Sequence, residues 1–278
     1  MYLEHFGLTE YPFGITPDTS FVFSATAHQE ALNTLLVAIE SGEGFIKITG
    51  EIGTGKTLLC RRFVAHMDKA GARVAYVPNP QLSPQELMVA IAEELNVSVP
   101  EHGREIQTIK ALSLALLERA RAGQRVIVCL DESQAIPLES LERLRLLSNL
   151  ETEKKKLVQL VFFGQPELDE HLADQRVRQL RQRIAFEYRL TGLSSLEVGQ
   201  YLAHRLRVAG FRTGELFTGA AIRRLHKASG GTPRVLNILA HKSLLAAFGE
   251  GRQQVKGSHV LKAAQDSAGI AKRIGWWS

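Results

Sequence analysis

Cysteine is scarce: Cys60 and Cys129 are the only two in 278 residues. Each sits inside an apolar stretch, LLCRRF and VIVCLD, where a small buried thiol is expected. The pair offers neither a disulfide framework nor a metal-ligand spacing, so a reducing compartment suits the chain. Long hydrophobic runs are missing as well. No stretch of about 18 apolar residues occurs and runs such as LVQLVFFG are of strand length, so no membrane span is expected. The N-terminus, MYLEHFGLTEYPF, has no basic segment leading into an apolar core, and no secretory signal peptide is expected. Internal repeats and low-complexity tracts are lacking.

What is present is the composition of a globular protein. Apolar residues at 45% suffice for a sizeable core, and the net charge of +5 favours acidic partners, nucleic acid or a membrane surface, without requiring them. From about residue 45 to 190, β-branched runs alternate with helical patterns. The runs are FIKIT (45–49), RVAYVP (73–78), RVIVCLD (125–131), LVQLVFF (157–163) and FEYRL (186–190). Each is nearly continuous in apolar residues, the pattern of strands covered on both faces. Amphipathic segments at 55–70, 84–95, 104–122 and 138–151 fall between them. The alternation predicts an α/β fold, a five-stranded parallel sheet sandwiched by helices.

After Thr191 the strand signals stop. A helix opened by LSSLEV, capped by Ser194 or Ser195 with Glu197 in its first turn, is followed by helical stretches at 218–229, 233–248 and 258–267. The expected division is a lead-in strap and first helix over 1–44, an α/β core over 45–191, and a small all-α lid with a tail over 192–278. In the tail, Trp276 and Trp277 stand beside Lys272 and Arg273, a pairing that suits packing back on the lid or docking on a partner or membrane interface.

The stretch GEIGTGKT, Gly50 to Thr57, satisfies G-x-x-x-x-G-K-[ST] between a predicted strand and a predicted helix. Glycines let backbone N–H groups converge on phosphates, Lys56 neutralises their charge, and the Thr57 hydroxyl ligates Mg²⁺. The helix start near Gly55 adds the positive end of its dipole. Gly50, Glu51, Ile52, Gly53, Thr54, Gly55, Lys56, Thr57 and Leu58 are therefore the expected nucleotide contacts. A second motif, RVIVCLDE, ends a buried strand in two carboxylates. Asp131 there would hold the metal and Glu132 would polarise the attacking water. Together the motifs predict a magnesium-dependent nucleoside triphosphatase.

With the trailing helical segment, these motifs resemble the AAA+ ATPases. The resemblance implies ATP and Mg²⁺ as cofactors and further roles. Gln165, in FFGQPEL, matches the γ-phosphate sensor where many members have Asn or Thr. Arg234, in SGGTPRVLN, matches a lid arginine at a helix start. Arg183, with Arg181 in reserve, matches the finger that completes a neighbour's site, which implies a homo-oligomer. Read from the residues alone, Arg176, Arg178, Arg181 and Arg183 have the other reading of a solvated basic face or a nucleic-acid patch, weighed evenly for all but Arg183.

YLEHFGLTEYPFGITPD, FVFSATAHQEALNTLLVAIESGEGFIKITGEIGTGKT, DESQAIP and GLSSLEVGQYLAHRLRVAG resemble the ExeA/GspA group of secretion ATPases over essentially residues 1–270. Within it the likeness is greatest to the branch serving biogenesis of the mannose-sensitive haemagglutinin (MSHA) type IV pilus. The resemblance implies a cytoplasmic ATPase at the inner face of the inner membrane. It would support assembly of a type IV pilus or type II secretion-like apparatus, with inner-membrane assembly proteins as partners. ExeA-type proteins carry a membrane span and periplasmic part after the ATPase, and a chain ending at residue 278 is expected to lack their peptidoglycan role. Pro12, Phe13 and Pro17 would strap across the adenine, with His28 near the base. On their own terms they are a proline-rich lead-in packing its aromatics on the core and a helix-start histidine.

A rival class is the ATP-dependent DNA-binding regulator of transposition, to which the basic balance and the run Lys154, Lys155 and Lys156 are suited. A nucleotide-gated scaffold is a third reading, against which Glu132 stands.

Overall fold

A computed structural model of the chain describes residues 2–14, 21, 23–99, 105–151, 156–212 and 214–267. Pro17, Lys154, Lys155, Lys272, Arg273, Trp276 and Trp277 lie outside them. The chain divides into two compact units, one of His28–Glu51 and Gly55–Leu190, the other of Met1–Ala27, Ile52–Thr54 and Thr191–Ser278.

The first unit holds the strands β1 (Phe45–Gly50), β2 (Arg73–Val77), β3 (Val126–Leu130), β4 (Gln159–Gly164) and β5 (Ile184–Leu190). They form one sheet in the order β2-β3-β4-β1-β5, every neighbouring pair parallel. Parallel neighbours need crossovers, and helices α3 (Lys56–Lys69), α4 (Pro84–Glu94), α5 (Glu105–Arg121), α6 (Leu138–Leu147), α7 (Glu167–Ala173) and α8 (Arg178–Arg181) lie in the connections. β1, β3 and β4 are buried at every position, as their nearly continuous apolar sequences lead one to expect, with Lys47, Thr49 and Gln159 buried among them. Phe45 and Phe162 stack across β1 and β4 with planes 2° apart.

β5 departs from the expectation of a strand covered on both faces. It alternates half-buried and exposed residues up to Leu190, because it is the sheet edge and pairs with β1 alone. Its Glu187, with Asp169 of α7, serves Lys47 in β1: the ammonium lies 2.8 Å from Glu187 and 2.5 Å from Asp169. Burial pulls this lysine's pKa down, and the two carboxylates outweigh it and raise the pKa above the usual value. α6 stops at Leu147, short of the predicted 151. Ser148 follows as C-cap, its hydroxyl bonding the Arg145 carbonyl, a local alternative to the helical ladder.

The second unit packs α9 (Ser195–Val208), α10 (Gly219–Ser229), α11 (Pro233–Gly249) and α12 (Gly257–Gln265), together with α1 (Tyr2–His5). Helix α2 (Thr26–Glu40) begins at its boundary with the first unit. Ser194 and Glu197 close a capping box at α9, and Pro233 opens α11 at a position where a missing N–H costs nothing. Tyr2, Phe6, Phe13 and Phe21 share the core with Leu202, Leu236 and Leu239. The lead-in aromatics do pack on a core, that of the C-terminal helices. Buried Arg205 donates to the Pro12 carbonyl at 2.5 Å and lies 4.6 Å over the Phe21 ring, while Asn237 donates to the Gly14 carbonyl at 3.0 Å. Among the described residues no helix is long and apolar enough to cross a membrane.

Candidate nucleotide site

The loop after β1 bends through two glycines at positive φ, Gly53 at 82° and Gly55 at 98°. At Gly55 the need for glycine is doubled: a Cβ would stand 2.7 Å from Nε2 of His28. His28 is therefore on the loop, in the first turns of α2 and nearly buried. Gly55 is also the N-cap of α3, and its left-handed backbone turns the chain into that helix. Within the C-terminal unit, the Arg234 amide donates to the Gly53 carbonyl at 3.3 Å, and a Cβ on Gly53 would meet the Arg234 Cβ at 2.6 Å. Thr54 is buried and Ile52 is 60% exposed.

Lys56, the first residue of α3, is 5% exposed. Its ammonium donates to the carbonyls of Gly50 at 2.7 Å and Glu51 at 3.1 Å, curling the side chain over its own loop. Burial lowers its pKa, against the pull of Glu132, Asp131 and Glu51. Thr57 and Leu58 follow in the first turn, half-buried. Glu51 is exposed, 4.0 Å from Arg189.

Across the sheet, β3 delivers Asp131 at its C-terminal end, 2% exposed. Burial raises the pKa of this carboxyl, against hydrogen bonds from the Thr57 hydroxyl, the Glu132 amide (3.0 Å) and the Tyr76 hydroxyl (3.3 Å). A carboxylate satisfied by neutral donors in so buried a place is a fitting ligand for a divalent cation, and Thr57 brings the second oxygen. Tyr76 is itself pushed up to about 12, by burial first and by Asp131 second. Glu132 takes left-handed backbone at φ 50°, unusual for a non-glycine residue. Its Oε2 accepts from the side chains of Gln134 at 2.6 Å and Gln165 at 3.2 Å. Of the expected residues, the α/β unit thus brings together His28, Gly50, Gly55, Lys56, Thr57, Leu58, Asp131, Glu132 and Gln165.

Arg183 is engaged elsewhere, donating to Ser148 at 3.4 Å and to the Asn149 side-chain oxygen. Arg176 is paired with Asp174 at 2.8 Å, Lys156 with Glu151, and Arg181 is exposed in α8. Tyr76 and Gln134 escaped the sequence reading. A polar residue two places after the paired carboxylates was a usable signal for Gln134, whereas Tyr76 acquires meaning only once β2 is known to lie beside β3. Cys60 and Cys129 are both fully buried, as their apolar surroundings suggest.

A parallel sheet in the order β2-β3-β4-β1-β5, a phosphate-loop sequence leaving its β1 strand, a DE pair ending β3 and a helical C-terminal unit define the AAA+ P-loop NTPase fold. A family model described as AAA domain matches residues 39–172. The chain is related to General secretion pathway protein A of Aeromonas hydrophila, 38% identical over all 278 residues, and spans half of that protein's length. In fold it is similar to Cdc6p from Pyrobaculum aerophilum (TM-score 0.65, 19% identity, 90% of this chain and 71% of that one). It is similar also to the Aeropyrum pernix ORC1 protein in complex with DNA (0.61, 21%, 92% and 69%). A third likeness is to the Thermotoga maritima RuvB Holliday junction branch migration motor (0.57, 17%, 92% and 73%).

Proposed function

We propose that the chain binds and hydrolyses ATP with Mg²⁺ and uses that cycle in assembling a secretion or type IV pilus apparatus. The observation that carries the chemistry is the meeting of Lys56 and Thr57 with Asp131 and Glu132 at the C-terminal edge of the sheet. The observation that carries the setting is the 38% identity to General secretion pathway protein A along the whole chain.

Lys56 would leave the Gly50 and Glu51 carbonyls for the phosphates, exchanging one set of oxygens for another. Thr57 and Asp131 would hold Mg²⁺, which when bound neutralises charge on the phosphates. Glu132 would orient and deprotonate the attacking water, and Gln165 would sense the γ-phosphate from the end of β4. Arg234 would act as the lid's nucleotide sensor, His28 would stand near the base, and Arg183 would complete a neighbouring protomer's site in a homo-oligomer. Within the wider setting, we assign the chain to the MSHA-type pilus branch, working on inner-membrane assembly proteins from the cytoplasmic face, by peripheral association with that membrane.

The test is the Glu132→Gln variant, which should bind ATP and stall. Recovered from its native cells with ATP and Mg²⁺, it should bring down inner-membrane assembly proteins that survive nuclease. The basic charge and the DNA-bound ORC1 neighbour support one other reading, an ATP-dependent DNA regulator of the transposition type. Recovery of DNA alone, lost on nuclease treatment, would put that reading first.

A further inference from the structure

Gln134 is held in a closed circuit of hydrogen bonds. Its side-chain nitrogen donates to Oε2 of Glu132 at 2.6 Å. Its side-chain oxygen accepts from the backbone amide of Gln165 at 2.9 Å. The side chain of Gln165 then donates to the same Oε2 at 3.2 Å. One carboxamide therefore uses both of its ends, one on the carboxylate after β3 and one on the backbone after β4. The fit is close, since a Cβ on Gly164 would stand 3.3 Å from the Gln134 oxygen and 3.0 Å from Leu168.

Glu132 has reason to need such a tether. Its backbone is left-handed at φ 50°, a conformation that a glutamate adopts at a cost and keeps where its surroundings impose it. Its neighbour Asp131 is fixed from three sides by Thr57, the Glu132 amide and Tyr76. Without Gln134, the side-chain donor left to that Glu132 oxygen among the described residues would be Gln165, with the longer of the two bonds. An amide donor is also the right chemistry for this task. It holds one carboxylate oxygen without supplying a competing proton, and leaves Oε1 to take the proton of a water.

We infer that Gln134 is a positioning residue for hydrolysis, fixing the Glu132 carboxylate against the end of β4 so that the general base and Gln165 move as one. This inference rests on the ATPase reading above. In balanced form, the step it serves moves one proton from water to Glu132 as the water oxygen bonds phosphorus and the leaving oxygen departs. Gln134 takes no part in bond making. Its contribution is geometric, and misplacing a catalytic group by about an ångström can cost on the order of a hundredfold in rate.

The experiment measures steady-state ATP turnover and, separately, the Kd of a fluorescent ATP analogue with Mg²⁺. Wild type, Gln134→Ala, Gln134→Glu and Gln165→Ala are compared. Gln134→Ala should lower kcat at least tenfold with the Kd within about twofold of wild type. Gln134→Glu keeps the acceptor for the Gln165 amide but turns the donor into a like charge, and should be no better than alanine. Gln165→Ala should also lower kcat. A Gln134→Ala or Gln134→Glu protein with wild-type kcat overturns the inference and leaves the ATPase reading standing. Equal losses in nucleotide affinity and kcat overturn it too, because they mark a structural residue. Absence of turnover in wild type, with ATP bound, removes the ATPase reading and the inference with it.

Discussion

Glu197 ties two backbone amides and a serine hydroxyl to one carboxylate. It accepts from the Ser194 amide and the Thr26 amide, both at 2.9 Å, and from the Ser194 hydroxyl at 2.8 Å. Desolvation pushes its pKa up, but these bonds outweigh it and leave the group at about 2. A depressed carboxylate contributes stability above its unfolded pKa, near 4.5, and loses it as the pH falls through about 2. Glu197→Gln should therefore lower stability near neutrality by about 1 kcal/mol and flatten the decline between those two pH values, read by chemical denaturation across an acid series. At Gly55, alanine meets two obstacles, the positive φ and the His28 ring. Gly55→Ala should weaken nucleotide binding at least tenfold, with strain of about 1–3 kcal/mol. Adding His28→Ala should recover only the steric part, which a double-mutant comparison of Kd values would resolve.

Among the elements, the paired glycines of the C-terminal unit offer the sharpest test. The Leu193 amide donates to the Gly231 carbonyl at 2.9 Å, and a Cβ on Gly231 would stand 2.1 Å from the Leu193 carbonyl oxygen. Gly231, at φ 72°, is glycine for closeness and for conformation alike. Gly231→Ala should destabilise this unit by about 3 kcal/mol, from overpacking and strain together, lowering its thermal midpoint in calorimetry. Strands and helices were largely legible in the sequence because each expresses a local rule: nearly continuous apolar runs for β1, β3 and β4, a serine cap with glutamate for α9, proline at the start of α11. What was not legible depends on neighbours. The exposure of β5 follows from its place at the sheet edge, and the partnership of Tyr76 with Asp131 from β2 lying beside β3. The company kept by Tyr2, Phe6 and Phe13 in the C-terminal core is set by partners about two hundred residues away, beyond any local pattern. The glycine-rich loop and the DE pair were readable as local strings, and the fold brings Lys56 and Thr57 of the one beside Asp131 and Glu132 of the other. The two glutamines holding Glu132 close their circuit only in three dimensions.

For the molecule as a whole, the role proposed for Arg183 makes the site one that two chains share. Arg183 here donates to Ser148 and Asn149, an engagement that a role in trans would have to exchange. If it completes a neighbour's site, Arg183→Ala should lower kcat by about 10³-fold or more while sparing ATP binding, by analogy with arginine fingers. Wild-type turnover per chain should then rise with protein concentration, and mixing in excess Arg183→Ala should depress it. Turnover independent of concentration would argue against a finger in trans.

The position of β1 inside the sheet sets an order of events during synthesis. This strand pairs with β4 and β5, both encoded late, while β2 and β3 lie on the far side of β4. A ribosome would therefore make β1 and then roughly a hundred residues more before its first partner, an interval of about 5–20 s at ordinary elongation rates. Throughout that time a largely apolar strand with unpaired backbone, carrying a lysine whose carboxylate partners are not yet made, waits in the nascent chain. Chains arrested before residue 159 should bind a general holdase chaperone, and chains arrested well past residue 190 should release it.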